Sequence, residues 1–481
     1  MLTIAEILQK IELYLKKELS ITDVRSLNYV IIGLIFFYSS QFFIHGKLLY
    51  FLSYFILIFF FYYALKKINL VILLTLVVSL FFEVGLANRW FILQPTQLNM
   101  GSGWWISPKT FLFLSLLLLT FKNRKLLNHF KIKSSDVMLA LFFFWAIFSF
   151  FFQTNINFFI GIFQLFEMVI IYYLLRLHLS DQNLGMVIFI LFSQVIFQSF
   201  ISFGQLIYKR PLGLIIESTL VKDPFLLTTV EGTNIFRLTG TFGHPNMLAA
   251  FMISLAPFVI LFRPASFIYG LIDLLIFLII FYTYSRISWF FFIIEYLFCL
   301  NLNKLKKFPA GLNLKRLLMP VIILLIVLIF LIYPNLLGRW QSTGFSIQEY
   351  GSLGMRIKMM QEGLNLVAKQ PLLGVGLNRS LEYYAKNPVT DLFQNTKPDP
   401  FYRIHNTFLE IASELGIIGL ILFLLFIYFV LISAIKEKRN SLIKSASTLG
   451  MAGLIIIAYV NPFFHTIQMD IMFLLAAVVL V

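Results

Sequence analysis

The stretch Arg403-Ile404-His405-Asn406-Thr407-Phe408-Leu409-Glu410 sets a guanidinium, an imidazole, a carboxamide and a carboxylate directly before the apolar run at 415–435. That run is long enough to cross a bilayer. Polar groups this costly to dehydrate call for a partner or a task at a membrane boundary. Asn406 is a good N-cap residue, so a helix starting there points free backbone N–H groups at the water layer beside His405. Such a terminus attracts anions, a diphosphate among them, and disfavours an imidazolium, which keeps His405 neutral and basic. A plain capped helix with an interfacial histidine explains the same residues, and this stretch alone leaves both readings open.

Three further stretches carry the same kind of chemistry. Phe236-Arg237-Leu238-Thr239-Gly240-Thr241-Phe242-Gly243-His244-Pro245-Asn246 is a turn-rich approach to an apolar run. Its glycines allow a backbone to come close to a ligand, and Arg237 can grip a phosphate with its planar fork. His244 and Asn246 add polar groups beside it. In Tyr284-Ser285-Arg286-Ile287-Ser288-Trp289, Arg286 sits between two apolar runs joined almost without a loop. Snorkelling to lipid phosphate and recognition of an anionic ligand both account for it. Arg356 lies on a helix inside a long connection, where a solvated face is the alternative to ligand contact.

The elements that must position these groups follow from composition. The chain has 481 residues, 60% hydrophobic and 17% aromatic, with 12% charged. Soluble domains average about 25% charged residues, so this is an integral membrane protein. One cysteine, Cys299, excludes an intrachain disulfide. The net charge of +16 is not a nucleic-acid signal, because Lys and Arg sit in short loops between apolar runs and no nucleic-acid motif accompanies them. No nucleic-acid partner is expected.

Residues 1–26 alternate apolar and lysine positions in the manner of an amphipathic helix on a cytoplasmic membrane face. Fourteen apolar runs follow, at about 27–45, 48–65, 68–86, 109–121, 136–152, 157–177, 184–207, 247–262, 266–284, 287–300, 317–333, 415–435, 446–460 and 466–481. The expectation is an all-α polytopic membrane protein of about 12–14 transmembrane helices with a large extracytoplasmic loop domain between late helices. The basic short loops put the N-terminus in the cytoplasm and the chemistry-bearing stretches on the outer face. The organisation is then a bundle over 27–333 with an external loop at 208–246, a large external cap at 334–412, and C-terminal transmembrane helices over 413–481. Within the cap, Leu353, Ile357, Met360, Leu364 and Val367 recur at helical spacing as one apolar face of a helix, with Arg356, Lys358, Glu362 and Asn365 directed elsewhere. Gln370-Pro371 ends that helix, and Leu373-Gly374-Val375-Gly376 reads as a turn.

The absences are informative. There is no D-x-D pair, no HExxH and no Cys/His cluster in the sequence, so no metal-ligand set is visible and none is expected. No Walker A or dinucleotide fingerprint appears, and no cofactor is expected.

Taken in order, Arg237-x-x-Gly240 and Pro245-Asn246 before a span, Ser285-Arg286 at a helix end, and a long loop with Arg356 and Pro371-Leu372-Leu373-Gly374-Val375-Gly376 precede His405-Asn406-x-x-Leu409-Glu410. Over roughly residues 230–435 this order resembles the O-antigen ligase/polymerase superfamily. The resemblance implies transfer of a glycan from an undecaprenyl-diphosphate carrier to an acceptor hydroxyl on a glycan, lipid or protein, at the outer face of the cytoplasmic (inner) membrane. It further implies that Arg237 and Arg286 grip the diphosphate and that His405 acts as base or orienter. Arg356, Arg403, Asn406, Glu410, His244 and Asn246 would then bind substrate, with membrane lipids around the bundle, no metal, and inversion at the anomeric carbon. The alternative class is a transporter such as a polysaccharide flippase. That class needs paired repeats around a midplane cavity, whereas here no repeat is visible and the polar groups gather at one face.

Overall fold

Apolar segments in lipid must satisfy their backbone groups internally, which leaves the helix as their only open-chain form. A computed structural model describes residues 24–82, 90–91, 105–128, 130–152, 156–217, 236–262, 267–305, 352–392, 403–436 and 442–481. The chain is an all-α polytopic membrane protein. Helices α1 (Val24–Ser40), α2 (Lys47–Leu65), α3 (Ile68–Ser79), α4 (Pro108–Lys122), α5 (Ser134–Phe150), α6 (Ile156–His178) and α7 (Asp181–Tyr208) precede the first long connection. After it come α8 (Pro245–Phe262), α9 (Phe267–Tyr282) and α10 (Arg286–Leu305), then α11 (Ser352–Lys369) and the short α12 (Ser380–Lys386). The order ends with α13 (Thr407–Lys436), α14 (Leu442–Ala458) and α15 (Ile467–Val479). A short antiparallel ribbon pairs Trp90–Phe91 with Trp105–Ile106 and leaves the class unchanged. Among the described residues, five helices are long and apolar enough to cross a membrane and six shorter ones are apolar. The expected span at 317–333 and nearly all of the amphipathic segment 1–26 lie outside the described residues.

Helix α8 is the centre, buried along almost its whole length, as a helix apolar on all sides should be. α14 packs against it at Gly450, where a Cβ would overlap the Ser254 carbonyl, so the small residue sets the close approach. α2 shows the opposite pattern: Tyr50, Tyr54, Leu57 and Phe61 are buried, whereas Leu48, Leu52, Phe55 and Phe59 are exposed as a lipid-facing stripe. Two clusters of charge within the bundle are paired. Lys109 Nζ lies 3.3 Å from Glu167 and 3.1 Å from Asp470. Asp136 pairs with Arg176 at 3.2 Å and accepts from Tyr172 at 2.7 Å.

The cap has its own small core of Met359, Leu366, Val375, Leu381, Tyr384, Leu392 and Ile404. Here the expected face of α11 is corrected. Lys358, Met359, Glu362 and Leu366 are buried, while Leu364 is 59% exposed. The cause is electrostatic. The Glu362 carboxylate accepts from the backbone N–H of Val389 and Thr390 at 2.9 and 2.7 Å, and Lys358 pairs with Asp391 at 2.5 Å. A hydrophobic count misses a helix face that is buried to satisfy a loop.

Helix α13 is broken at Gly416, whose φ of 72° and ψ of 178° interrupt the ladder. The cap supplies the missing partners. Val375 N–H and Gly376 N–H donate to the carbonyls of Ser413 and Glu414 at 2.8 and 2.9 Å, and Ile417 N–H donates to the Pro371 carbonyl at 2.8 Å. Trp145 Nε1 on α5 closes the Leu415 carbonyl at 2.8 Å. The turn read at 374–376 is present, with φ of 67° at Gly374 and 99° at Gly376, and it clasps the cap onto the bundle. A Cβ at Gly416 would overlap the Leu372 carbonyl in a conformation that L residues avoid. Gly416→Ala should therefore destabilise the protein by roughly 3 kcal/mol, read as a fall in thermal unfolding midpoint in detergent. An unchanged midpoint would show that the clasp carries no weight.

Candidate functional site

The site grows from the tight turn between α9 and α10. Trp289 Nε1 donates to the carbonyls of Ile280 and Phe281, both at 3.1 Å, and its ring stacks on Phe281 with centroids 4.7 Å apart. The hairpin so locked places Arg286 at the start of α10, exposed at its end of the bundle. Arg237 is tied to the same turn: its Nε donates to the Thr283 carbonyl at 2.8 Å and its Nη2 to Asn246 Oδ1 at 3.2 Å. Asn246 Nδ2 then donates to Asn461 Oδ1 at 2.8 Å, and Thr407 Oγ1 donates to the Asn461 carbonyl at 2.7 Å. One continuous network thus joins the loop before α8, the turn before α10, the start of α13 and the connection from α14 to α15.

The loop that carries Arg237 and His244 is mounted on polar groups of α7. Gln198 binds Thr241 through both ends of its amide, at 2.7 and 3.1 Å. Gln205 Nε2 donates to the Gly240 carbonyl at 2.8 Å and its Oε1 accepts from Gly240 N–H at 3.0 Å. No site role was expected of these side chains. Their signal was a set of glutamines at helical spacing, Gln194, Gln198 and Gln205, in an otherwise apolar helix.

The two histidines are fixed in opposite tautomers. His405 Nδ1 lies 2.8 Å from the Arg403 carbonyl, which can only accept, so Nδ1 carries the proton and Nε2 keeps its lone pair. His244 Nδ1 accepts from Asn246 N–H at 3.2 Å, so its Nε2 carries the proton. One ring presents a base and the other a neutral donor. Asn406 caps α13 as expected, its Oδ1 accepting from Leu409 N–H at 3.0 Å.

Electrostatics show which groups are neighbours. Burial first, then the charge of Arg237, the neighbouring His405 ring and the charge of Arg356, hold His244 well below the ordinary imidazole range. Burial and then Arg356 hold His405 at about 4, against the opposing pull of its bond to the Arg403 carbonyl. Arg356 is itself pushed down, by burial first and then by Arg286. Arg237, Arg286, Arg356, His244 and His405 therefore share one electropositive region, drawn from four separate stretches of chain. Like charges gathered in this way favour an anion among them.

Arg403 and Glu410 lie behind that region, 3% and 0% exposed, as an ion pair at 3.3 Å. Arg403 Nη2 also donates to Asn378 Oδ1 at 2.5 Å. One turn along α13, the fully buried Glu414 accepts from Asn378 N–H at 2.7 Å, Ser380 Oγ at 2.8 Å and His465 Nε2 at 2.7 Å. The ligand atoms of Glu410, Glu414 and His465 come within 4.8 Å of one another, a grouping that the sequence spacing hid. Its chemistry does not call for a metal. Glu414 is already supplied with three donors, and the positive charge facing Glu410 is the Arg403 guanidinium.

A family model described as O-antigen ligase matches residues 271–424, a range that holds Arg286, Arg356, Arg403, His405 and Glu410. No curated protein matches the chain.

Acid sensitivity follows from the histidines. In an unfolded chain they protonate near about 6.5. His405 in the folded protein protonates only near about 4. Between these values the unfolded chain binds more protons, so stability present above the higher pKa is lost as the pH falls through the window. Thermal midpoints measured across it in detergent should fall less steeply for His405→Gln than for the parent protein. Equal slopes would mean that His405 is not held neutral by its surroundings.

Proposed function

We propose, from the match of the O-antigen ligase family model to residues 271–424 and from the geometry above, that this chain is a metal-independent, inverting glycosyltransferase of that superfamily acting on a lipid diphosphate-linked glycan. The donor would be an undecaprenyl-diphosphate-linked glycan, its hydrocarbon tail between the helices and its sugars under the cap. The family match supports glycan transfer of this general kind. The observation that carries the finer reading is the meeting of Arg237, Arg286 and Arg356 with two neutral histidines of opposite tautomer.

In the proposed step an acceptor hydroxyl oxygen bonds to the anomeric carbon while the bond from that carbon to the diphosphate breaks. The diphosphate leaves with the electron pair. Its growing charge meets the guanidinium groups, which is electrostatic stabilisation of the transition state. The acceptor proton moves to His405 Nε2, and the imidazolium later passes it to the released diphosphate. His244 Nε2–H donates a hydrogen bond to a phosphate oxygen. A single displacement inverts the anomeric centre. The basic short loops support an outer-face site in the inner membrane with the N-terminus inside.

The test uses full-length protein in detergent with excess chelator, and the carrier-linked glycan extracted from cells lacking this protein as donor. His405→Ala should lower the single-turnover rate by about 10²–10⁴-fold while donor affinity holds. Arg286→Lys and Arg237→Lys keep the charge but lose the planar fork, and should weaken donor binding and turnover by about tenfold. Full single-turnover activity in His405→Ala would remove the base from the mechanism, and activity abolished by the chelator would overturn the arginine account.

A further inference from the structure

The reading above leaves the buried groups behind His405 without a task, yet they form an unbroken chain of contacts to it. Glu414 stands at the last residues of α13 before the Gly416 break, where the helix can hold no further backbone bond of its own. Its carboxylate captures the backbone N–H of Asn378 at 2.7 Å. Asn378 sits in a left-handed conformation, φ 60°, one that a non-glycine residue keeps only when its surroundings enforce it. Glu414 enforces it from one side, and α6 does so from another: a Cβ on Gly161 would lie 3.0 Å from that of Asn378, so the turn is seated where the helix has no side chain. Held there, Asn378 Oδ1 accepts from Arg403 Nη2 at 2.5 Å, and Glu410 takes Nη1 of the same guanidinium at 3.3 Å. With Nη2 bonded to Asn378 and Nη1 in ion-pair contact with Glu410, Arg403 presents its backbone carbonyl to His405 Nδ1 at 2.8 Å.

Resting on the reading of His405 as proton acceptor, we propose that Glu414 and Asn378 are positioning residues for the transfer, acting on His405 through Arg403. The carbonyl of Arg403 sets both the tautomer and the direction of Nε2. Any loosening of Arg403 turns the imidazole away from the acceptor hydroxyl. The groups come from α13, the cap turn and the segment before α13, so the arrangement exists only while the cap is clasped to the bundle. His465 and Ser380 complete the donors to Glu414, which keeps its carboxylate oriented towards Asn378.

Loss of position by about 1 Å can cost about 10²-fold in rate. Asn378→Gly suits the left-handed backbone and keeps the N–H that Glu414 holds, while removing the acceptor for Arg403. It should lower kcat by about 10–100-fold with donor KM within about threefold, and Glu414→Gln should do likewise. The deciding measurement is the same pair of changes in a His405→Ala background, with folded fraction checked by size exclusion and the extracted carrier-linked glycan as donor. There each should cost less than about twofold more, because groups that act through one another are not additive. The full loss repeated in the His405→Ala background would make both residues structural and overturn the proposal, as would unchanged kcat in both single variants. If His405→Ala alone turns over normally, the proton-acceptor reading fails first and this inference goes with it, an outcome distinct from the other two.

Discussion

The break in α13 at Gly416 is the constraint from which the rest follows. A helix interrupted beside a lipid phase leaves carbonyl and N–H groups that water does not reach, and each must find a partner. The partners are the backbone of Pro371, Val375 and Gly376 and the indole of Trp145. Satisfying the break therefore docks the cap onto the bundle. Docking fixes Asn378 against Glu414 and α6, and so fixes the segment that carries Arg403 and His405. Backbone hydrogen bonding decides where the side chains with chemistry end up.

The second organising force is charge. Arg356 on the cap helix α11 acts on both histidines, Arg237 in the loop before α8 acts on His244, and Arg286 in the turn before α10 acts on Arg356. Such a group gains from an anion far more than a single arginine does, and burial keeps the imidazoles neutral beside it. Deeper in, the carboxyl groups of Glu410 and Glu414 face the Arg403 guanidinium and the His465 ring. In the proposed function an outer layer of guanidinium groups receives the anion and rests on an inner layer of side chains that partner one another.

Local signals carried much of this. Asn406 as helix cap, the turn at 374–376, the near absence of a loop before Arg286 and the glycine-bearing approach to His244 were all legible from residue types over a few positions. Contacts made by burying polar groups across long sequence separations were not. Glu414 lies within an apolar helix, and its partners Asn378, Ser380 and His465 come from two other parts of the chain, so no local pattern announces them. Asn461 links Asn246 to Thr407 in the same way. On α11 the apolar spacing pointed to the wrong face, because Glu362 and Lys358 are buried to bind the loop at 389–391. Arg403 and Glu410 looked like ligand-facing groups, and they sit 3% and 0% exposed, as a buried pair with each other.

The most direct measurement of the central claim is a structure of the full-length protein in a lipid nanodisc with its carrier-linked glycan bound. The expected result is a diphosphate within about 3 Å of nitrogen atoms of Arg237, Arg286 and Arg356, with His405 Nε2 facing the anomeric carbon. A diphosphate bound elsewhere in the bundle, or an anomeric carbon turned away from His405 Nε2, would contradict it.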